Sequence, residues 1–263
     1  IDVLPDEDPG HIDFIALAAH KMYAPFGTGA LVGPTSFFAE GCPDCVGGGT
    51  VKTVSLDAVD WADPPDRDEA GSPNVVGAVA MATAARVLMS EGMERVAAHE
   101  QELIEYALGE LSSVPGLRLY GESDPGRASE RVGVIPFALE GLDHALVAAI
   151  AGYEGGIGVR NGCFCAHPYV TCLLGLSQGE SERWRSSVAA GDRSSLPGLV
   201  RMSLGCYSET RDIDRLVEML HRIVEGNYSG RYAKSSGTGE YYPDGYRERF
   251  QEFFQGNLFE DQG

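Results

Sequence analysis

Hydrophobic positions change their period along the chain, and the changes divide it. Residues 1–12 are acidic and carry Pro and Gly, which reads as loop. The compact apolar run 12–18 predicts a buried strand, running straight into Ala19, His20 and Lys21. A Gly-rich turn over 24–29 and a second strand over 30–33 follow. Residues 34–49 are irregular and end in Gly47, Gly48 and Gly49, and 50–56 alternates as a strand does. Ser72, Pro73 and Asn74 then open an Ala-rich helix to about Met89. Ser72 is the expected cap, with Pro73 at the first helical position. A second helix over 93–111 puts Val96, Leu103, Ile104, Ala107, Leu108 and Leu111 on one stripe.

After Pro115 the texture changes. Strands are expected over 117–121, 131–139, 156–162 and 199–207. Asp143 caps a helix to about Tyr153, and a helix over 210–225 carries the stripe Ile213, Leu216, Val217, Leu220 and Val224 before Gly226. The polar stretch 173–198 reads as a mobile insertion. Residues 227–263 read as a tail: a linker, a Tyr-rich stretch and a short amphipathic helix over 247–254. The expected organisation is 1–92 as part of one α/β domain, 93–226 as a connecting helix with a small α+β domain, and the tail.

Charge narrows the partners. The 263 residues hold 39 Asp and Glu against 20 Lys and Arg, a net charge of −19. Such a chain repels nucleic acid and anionic membrane surfaces, so neither is expected as a main partner. No apolar run reaches the roughly 18 residues of a membrane span, and the opening residues do not read as a secretory signal. Six cysteines in a chain of this length do not make a disulfide scaffold, so reduced thiols in the cytoplasm are expected. Lysine is scarce: Lys21, Lys52 and Lys234 are the whole supply. Any chemistry that needs a lysine has three candidates.

Lys21, delivered by an apolar strand into a polar turn, is placed as a Schiff-base lysine is placed; a strand-end lysine that reaches solvent has the same spacing. Arg201 lies inside a strand, where an unpaired charge is costly, so it needs either a ligand or an internal acid. Cys42 and Cys45 form a CxxC pair, and Cys163 and Cys165 a CxC pair about 120 residues on. Zinc, redox chemistry and plain loop thiols stay open for the first pair, and a metal or redox role for the second.

The string over 12–33, with His20-Lys21 before a Gly-x-Gly turn, resembles the cofactor-lysine segment of class V pyridoxal-phosphate enzymes, the cysteine desulfurase and selenocysteine lyase group. GGGTV (47–51), EAGSPN (69–74), GIGVRNGCFCAHP (156–168) and LVRMSLGCYSETRDIDRLVEML (199–220) resemble further family segments in the same order. The resemblance implies an aspartate-aminotransferase-like, fold type I α/β architecture, with 1–92 as the end of the large cofactor domain. It implies pyridoxal phosphate held as an imine by Lys21, with His20 and Ser72 as cofactor contacts. It implies Arg160 and Arg201 on the substrate carboxylate and Cys165 as the thiol that takes sulfur from cysteine, with His167 near enough to favour the thiolate. A homodimer and a sulfur-acceptor protein are the implied partners. Class V aminotransferases, selenocysteine lyases and the molybdenum-cofactor sulfurase, to which RNGCFC is also similar, are the alternatives, and a non-catalytic or metal-binding fragment is the alternative of another class. Ala18 stands where the family has Ser, and much of the family's cofactor site lies upstream of the lysine, so the chain is expected to be the C-terminal part of a longer enzyme.

Overall fold

The computed structural model describes residues 3–247. The chain divides into two compact units, Ile1–Met93 and Glu94–Gly263.

The first unit is built from short pieces. Strands β1 (Ile15–Ala18) and β2 (Gly29–Val32) form an antiparallel hairpin, and a short helix α1 (Thr35–Ala39) follows. Strands β3 (Val51–Val54) and β4 (Val59–Trp61) form a second hairpin, and α2 spans Val75–Glu91. Two points correct the expectation. The strand before Lys21 is half-buried, not buried, because a two-stranded sheet leaves it without cover on both faces. The cap of α2 is Asn74, whose side chain accepts from the Gly77 N–H at 3.0 Å; Ser72 is exposed and two residues upstream. Asn is as good a cap as Ser, so composition alone does not choose between them.

Helix α3 (Met93–Leu111) belongs, from Glu94 on, to the second unit. Strands β5 (Leu117–Leu119), β6 (Val134–Leu139), β7 (Arg160–Gly162) and β8 (Leu199–Ser203) form one antiparallel sheet in the order β5-β6-β8-β7. Helices α4 (His144–Gly155), α5 (His167–Leu173), α6 (Gln178–Ala189) and α7 (Thr210–Val224) accompany it. The stripes of α3 and α7 meet alternate residues of the sheet in one core, where Leu108, Leu111, Ile135, Phe137, Ile150 and Leu220 are fully buried. A smaller cluster of Tyr120, Cys163, Val170 and Leu199 packs with Trp184.

Within the stretch 173–198, read from the sequence as a mobile insertion, the last residue of α5 and the whole of α6 are helical. Helix α6 has no apolar stripe; a capping box between Ser177 and Glu180 starts it. The tail is also built: β9 (Tyr232–Lys234) and β10 (Tyr241–Pro243) make a hairpin. Glu154 accepts from the Ser229 and Gly230 N–H groups and the Tyr232 hydroxyl, and Lys234 pairs with Asp143 at 2.5 Å, so the hairpin is fastened to α4. The helix expected over 247–254 lies, but for Arg247, outside the described residues. Among the described residues no single helix is long and apolar enough to cross a membrane.

Candidate functional site

In the first unit a one-turn helix over Ala19–Met22 carries His20 and Lys21 out of β1, and both are exposed. Ala19 is fully buried and anchors the turn through its N–H on the Thr28 carbonyl at 2.9 Å. Gly29 is required here: a β-carbon would stand 2.6 Å from the Leu17 carbonyl oxygen. Asn74 then does two things. Its oxygen caps α2, and its amide donates to the Phe26 carbonyl at 2.7 Å, tying the turn after Lys21 to the start of α2. The Gly71 N–H donates to the Gly48 carbonyl at 2.8 Å, so the GGGTV and EAGSPN segments lie side by side. Three motifs separated in sequence are thus assembled within one unit.

The three lysines differ. Lys52 pairs with Asp63 at 2.8 Å and Lys234 with Asp143 at 2.5 Å. Among the described residues Lys21 has no carboxylate partner. Two of the three lysines are thus committed to an acid, and among the described residues Lys21 is not.

In the second unit the register of β7 and β8 sets Arg160 directly opposite Arg201. Residues so paired point to one face, and alternation puts that face away from Val200 and Met202, which fill the main core. Two cations opposite one another are unfavourable without an anion between them. Among the described residues neither arginine has a carboxylate partner, which removes the internal salt bridge as the reason for Arg201. Arg201 donates from Nε to the Ser203 hydroxyl at 3.1 Å and lies 5.0 Å over the Phe164 ring. Burial and the charge of Arg160 hold its guanidinium below the ordinary arginine range, and Cys165 acts in the opposite sense.

The loop after β7 turns sharply. Phe164 and Cys165 have φ of 52° and 63°, a left-handed pair that non-glycine residues seldom adopt. The turn sends the neighbouring cysteines to different places. Cys165 is exposed, within electrostatic reach of Arg201. Cys163 is buried, donates to the Pro197 carbonyl at 3.3 Å, and has its thiol pushed up by burial. His167 packs on the Trp184 ring, 5.6 Å between centroids. Cys42 and Cys45 are exposed free thiols. Among the described residues no group of three or more His, Cys, Asp or Glu side chains is gathered as a metal site.

The model of the family described as aminotransferase class-V matches residues 6–216. The chain belongs to the class-V aminotransferase family. Among curated members, a cysteine desulfurase of Dickeya dadantii is 37% identical over 212 residues, covering 80% of this chain and 45% of its own length. One from Yersinia pseudotuberculosis is 36% identical with the same coverage. The chain therefore spans less than half the length of these relatives. Among solved structures, a cysteine desulfurase of Thermococcus onnurineus matches with a TM-score of 0.68 and 30% identity, covering 82% of this chain and 48% of the other. One from Escherichia coli matches with 0.65 and 27%, covering 81% and 46%. These members share the mixed α/β architecture, and the fold is that of the fold type I enzymes.

Of the expected residues, then, Arg160, Arg201 and Cys165 stand together in one unit. His20, Lys21 and the GGGTV and EAGSPN segments are assembled in the other. Ser72 loses its capping role to Asn74. Phe164 was not legible as a site residue, since its position under Arg201 follows from the left-handed turn and not from its hydrophobicity.

Proposed function

We propose that the chain supplies the lysine, the carboxylate clamp and the acceptor thiol of a pyridoxal-phosphate-dependent cysteine desulfurase. The observation that carries this reading is the Arg160–Arg201 pair, two cations in register with no acid partner among the described residues, beside an exposed cysteine. A substrate carboxylate is the anion that such a pair lacks, and a planar guanidinium grips it at two oxygens.

The residues present fit the cofactor at its point of attachment. Lys21 is an exposed amine without a competing carboxylate among the described residues, on a turn locked by Ala19, Gly29 and Asn74. When bound, pyridoxal phosphate supplies an electron sink for the charge that develops on the substrate carbon. Lys21 holds it covalently and moves the substrate Cα proton. His20 is the neighbouring contact, and Ser72 lies on the loop that leads into α2. Arg201, with Arg160, fixes the carboxylate. The Cys165 thiolate attacks the sulfur of cysteine: an S–S bond forms and the substrate C–S bond breaks. The electron pair stays on carbon and a proton completes the methyl group, leaving alanine and a persulfide on Cys165.

The relatives' names support cysteine as the substrate. Exposed free thiols support a reducing, cytoplasmic setting. The apolar residues exposed along α2, among them Val75, Val76 and Val79, support a homodimer, and exposed Cys165 supports delivery to an acceptor protein. The test is to supply cysteine and pyridoxal phosphate and map persulfide by mass spectrometry. We expect it on Cys165 and on no other cysteine, with alanine released in equal amount, and neither product from Cys165→Ser. Alanine from Cys165→Ser at the wild-type rate, or a keto acid in place of alanine, would overturn the reading.

A further inference from the structure

The residues Cys163 to Ala166 close a tight turn. The Ala166 N–H donates to the Cys163 carbonyl at 2.7 Å, and both central residues, Phe164 and Cys165, are left-handed. A turn with positive φ at both centres is ordinarily made by Asn and Gly, which bear the conformation at little steric cost. Nothing in the turn itself asks for a phenylalanine. The side chain's contacts do. The ring packs against the small apolar cluster that holds Cys163 and Leu199, and the Arg201 guanidinium lies over its face, 5.0 Å from the ring centre.

That contact completes a set of restraints on Arg201. A guanidinium is planar and carries five N–H donors in a fixed fork. The Nε edge is held, since it donates to the Ser203 hydroxyl at 3.1 Å. One face is held as well, by the attraction of a cation to an aromatic ring. A plane fixed at one edge and one face has a single orientation. Its two terminal nitrogens have no hydrogen-bond partner among the described residues, so the fork stands open at the end that grips a carboxylate. Arg160, directly opposite across β7 and β8, pushes the other way: a like charge favours any rotation that carries the guanidinium off. Ser203 lies on the same strand as Arg201 and holds only the edge. The face is held from a different segment, the turn that also carries Cys165.

We propose that Phe164 is a positioning residue for the reaction: its ring holds the Arg201 guanidinium against the charge of Arg160, with the fork presented to a carboxylate beside Cys165. Two adjacent residues of one turn then set the two ends of the substrate. Phe164 sets the carboxylate end through Arg201, and Cys165 meets the sulfur end. This role rests on the reading of Arg201 and Cys165 given above; it does not involve Lys21 or the cofactor.

The test uses the 263-residue chain without cofactor or amino acid, so its outcome is separate from that of the desulfurase assay. The probes are β-bromopropionate and β-bromopropionamide. They space the carboxylate, or its neutral amide, from the reacting carbon as an α-amino acid spaces its carboxylate from Cβ. Alkylation of Cys165 by each is read by mass spectrometry, with exposed Cys172 as the internal reference. The ratio of the two probes at one thiol does not depend on how much of that thiol is ionised. A chain of net charge −19 repels the anionic probe in general, so a preference for it at Cys165 is local. We expect the ratio of carboxylate to amide labelling at Cys165 to exceed that at Cys172 by about tenfold, the weight of a charge-assisted hydrogen bond. Phe164→Asn suits the left-handed turn but has no ring. It should lose most of the preference with no fall in the denaturant midpoint, whereas Phe164→Tyr should keep the preference. Phe164→Leu, which retains the apolar packing, should lose it too and stands as the test where Phe164→Asn does not fold. A preference kept in Phe164→Asn or Phe164→Leu, or lost in Phe164→Tyr, would overturn the role of Phe164. If Arg201→Gln abolishes that same preference, the clamp reading survives the failure. A wild type without any preference would overturn both.

Discussion

The two units hold their functional side chains by different means. In the second, the face carrying Arg201 is one side of a sheet whose other side is sealed by α3, α4 and α7, with Leu220, Ile135 and Phe137 fully buried. In the first, Ala19, Ala24 and Pro43 are the only buried apolar side chains among the described residues, and Val75, Val76, Val79 and Met89 along α2 are exposed. There, backbone hydrogen bonds and a few side-chain clamps do the holding: Asn74 on Phe26, and Arg67 on the carbonyls of Ala39 and Gly41. A packed sheet keeps an arginine pair in register at the cost of like-charge repulsion. A clamped turn presents a lysine to a surface that is still largely uncovered.

The contrast can be broken most strongly at the core. Leu220→Ala should cost about 2–5 kcal/mol, read by denaturant unfolding of the second unit. Val79→Ala, 62% exposed, should stay within about 0.5 kcal/mol. Equal losses would contradict the difference between the units. The arginine pair comes next. Arg201→Gln should raise the KM for the amino-acid substrate by about 10–100-fold, one charge-assisted pair of hydrogen bonds. Stability should not fall, because the like charge opposite Arg160 is relieved. A drop in stability with KM unchanged would make Arg201 a structural residue. Asn74→Ala should then cost about 1 kcal/mol and loosen the turn after Lys21, as read by hydrogen exchange, while Ser72→Ala leaves both unchanged.

The smallest effect expected is at the joint between the tail and α4. Burial raises the Asp143 carboxyl, but the Lys234 ammonium and the Ala145 N–H outweigh it and hold the group below its ordinary 3.8. Its folded value is depressed, so the stability it contributes is present above the ordinary value and is lost as pH falls through the folded one. Wild type should exceed Asp143→Asn by less than about 1 kcal/mol at neutral pH, and the gap should close in acid below the ordinary value. A gap that widened in acid would reverse the sign.

The second unit was the more legible of the two in the sequence. The stripes of α3 and α7 face one core, so their period of 3.6 survived in the choice of residues, and Ile213, Leu216, Val217 and Leu220 are buried as read. Helix α6 escaped because it buries little and has no stripe; only Ser177 and Glu180 marked its start. The tail hairpin escaped because its strands are three residues each and are fixed by Glu154 and Asp143, far away in sequence. At the site, residue types and spacing singled out Lys21 and Arg201 as candidates, and the family resemblance gave them roles and added Cys165. The facing of Arg160 on Arg201 is a matter of strand register, and the parting of Cys163 from Cys165 follows from a left-handed turn. Neither is written in a local pattern.

The central claim is that Lys21, alone of the three lysines, is kept free for a carbonyl cofactor, and one measurement bears on it most directly. The chain is incubated with pyridoxal phosphate, reduced with borohydride, digested, and the pyridoxyl mass is located on the peptides. The account predicts the label on Lys21, with Lys52 and Lys234 protected by Asp63 and Asp143. Label spread evenly over the three lysines, or absent from Lys21, would contradict it.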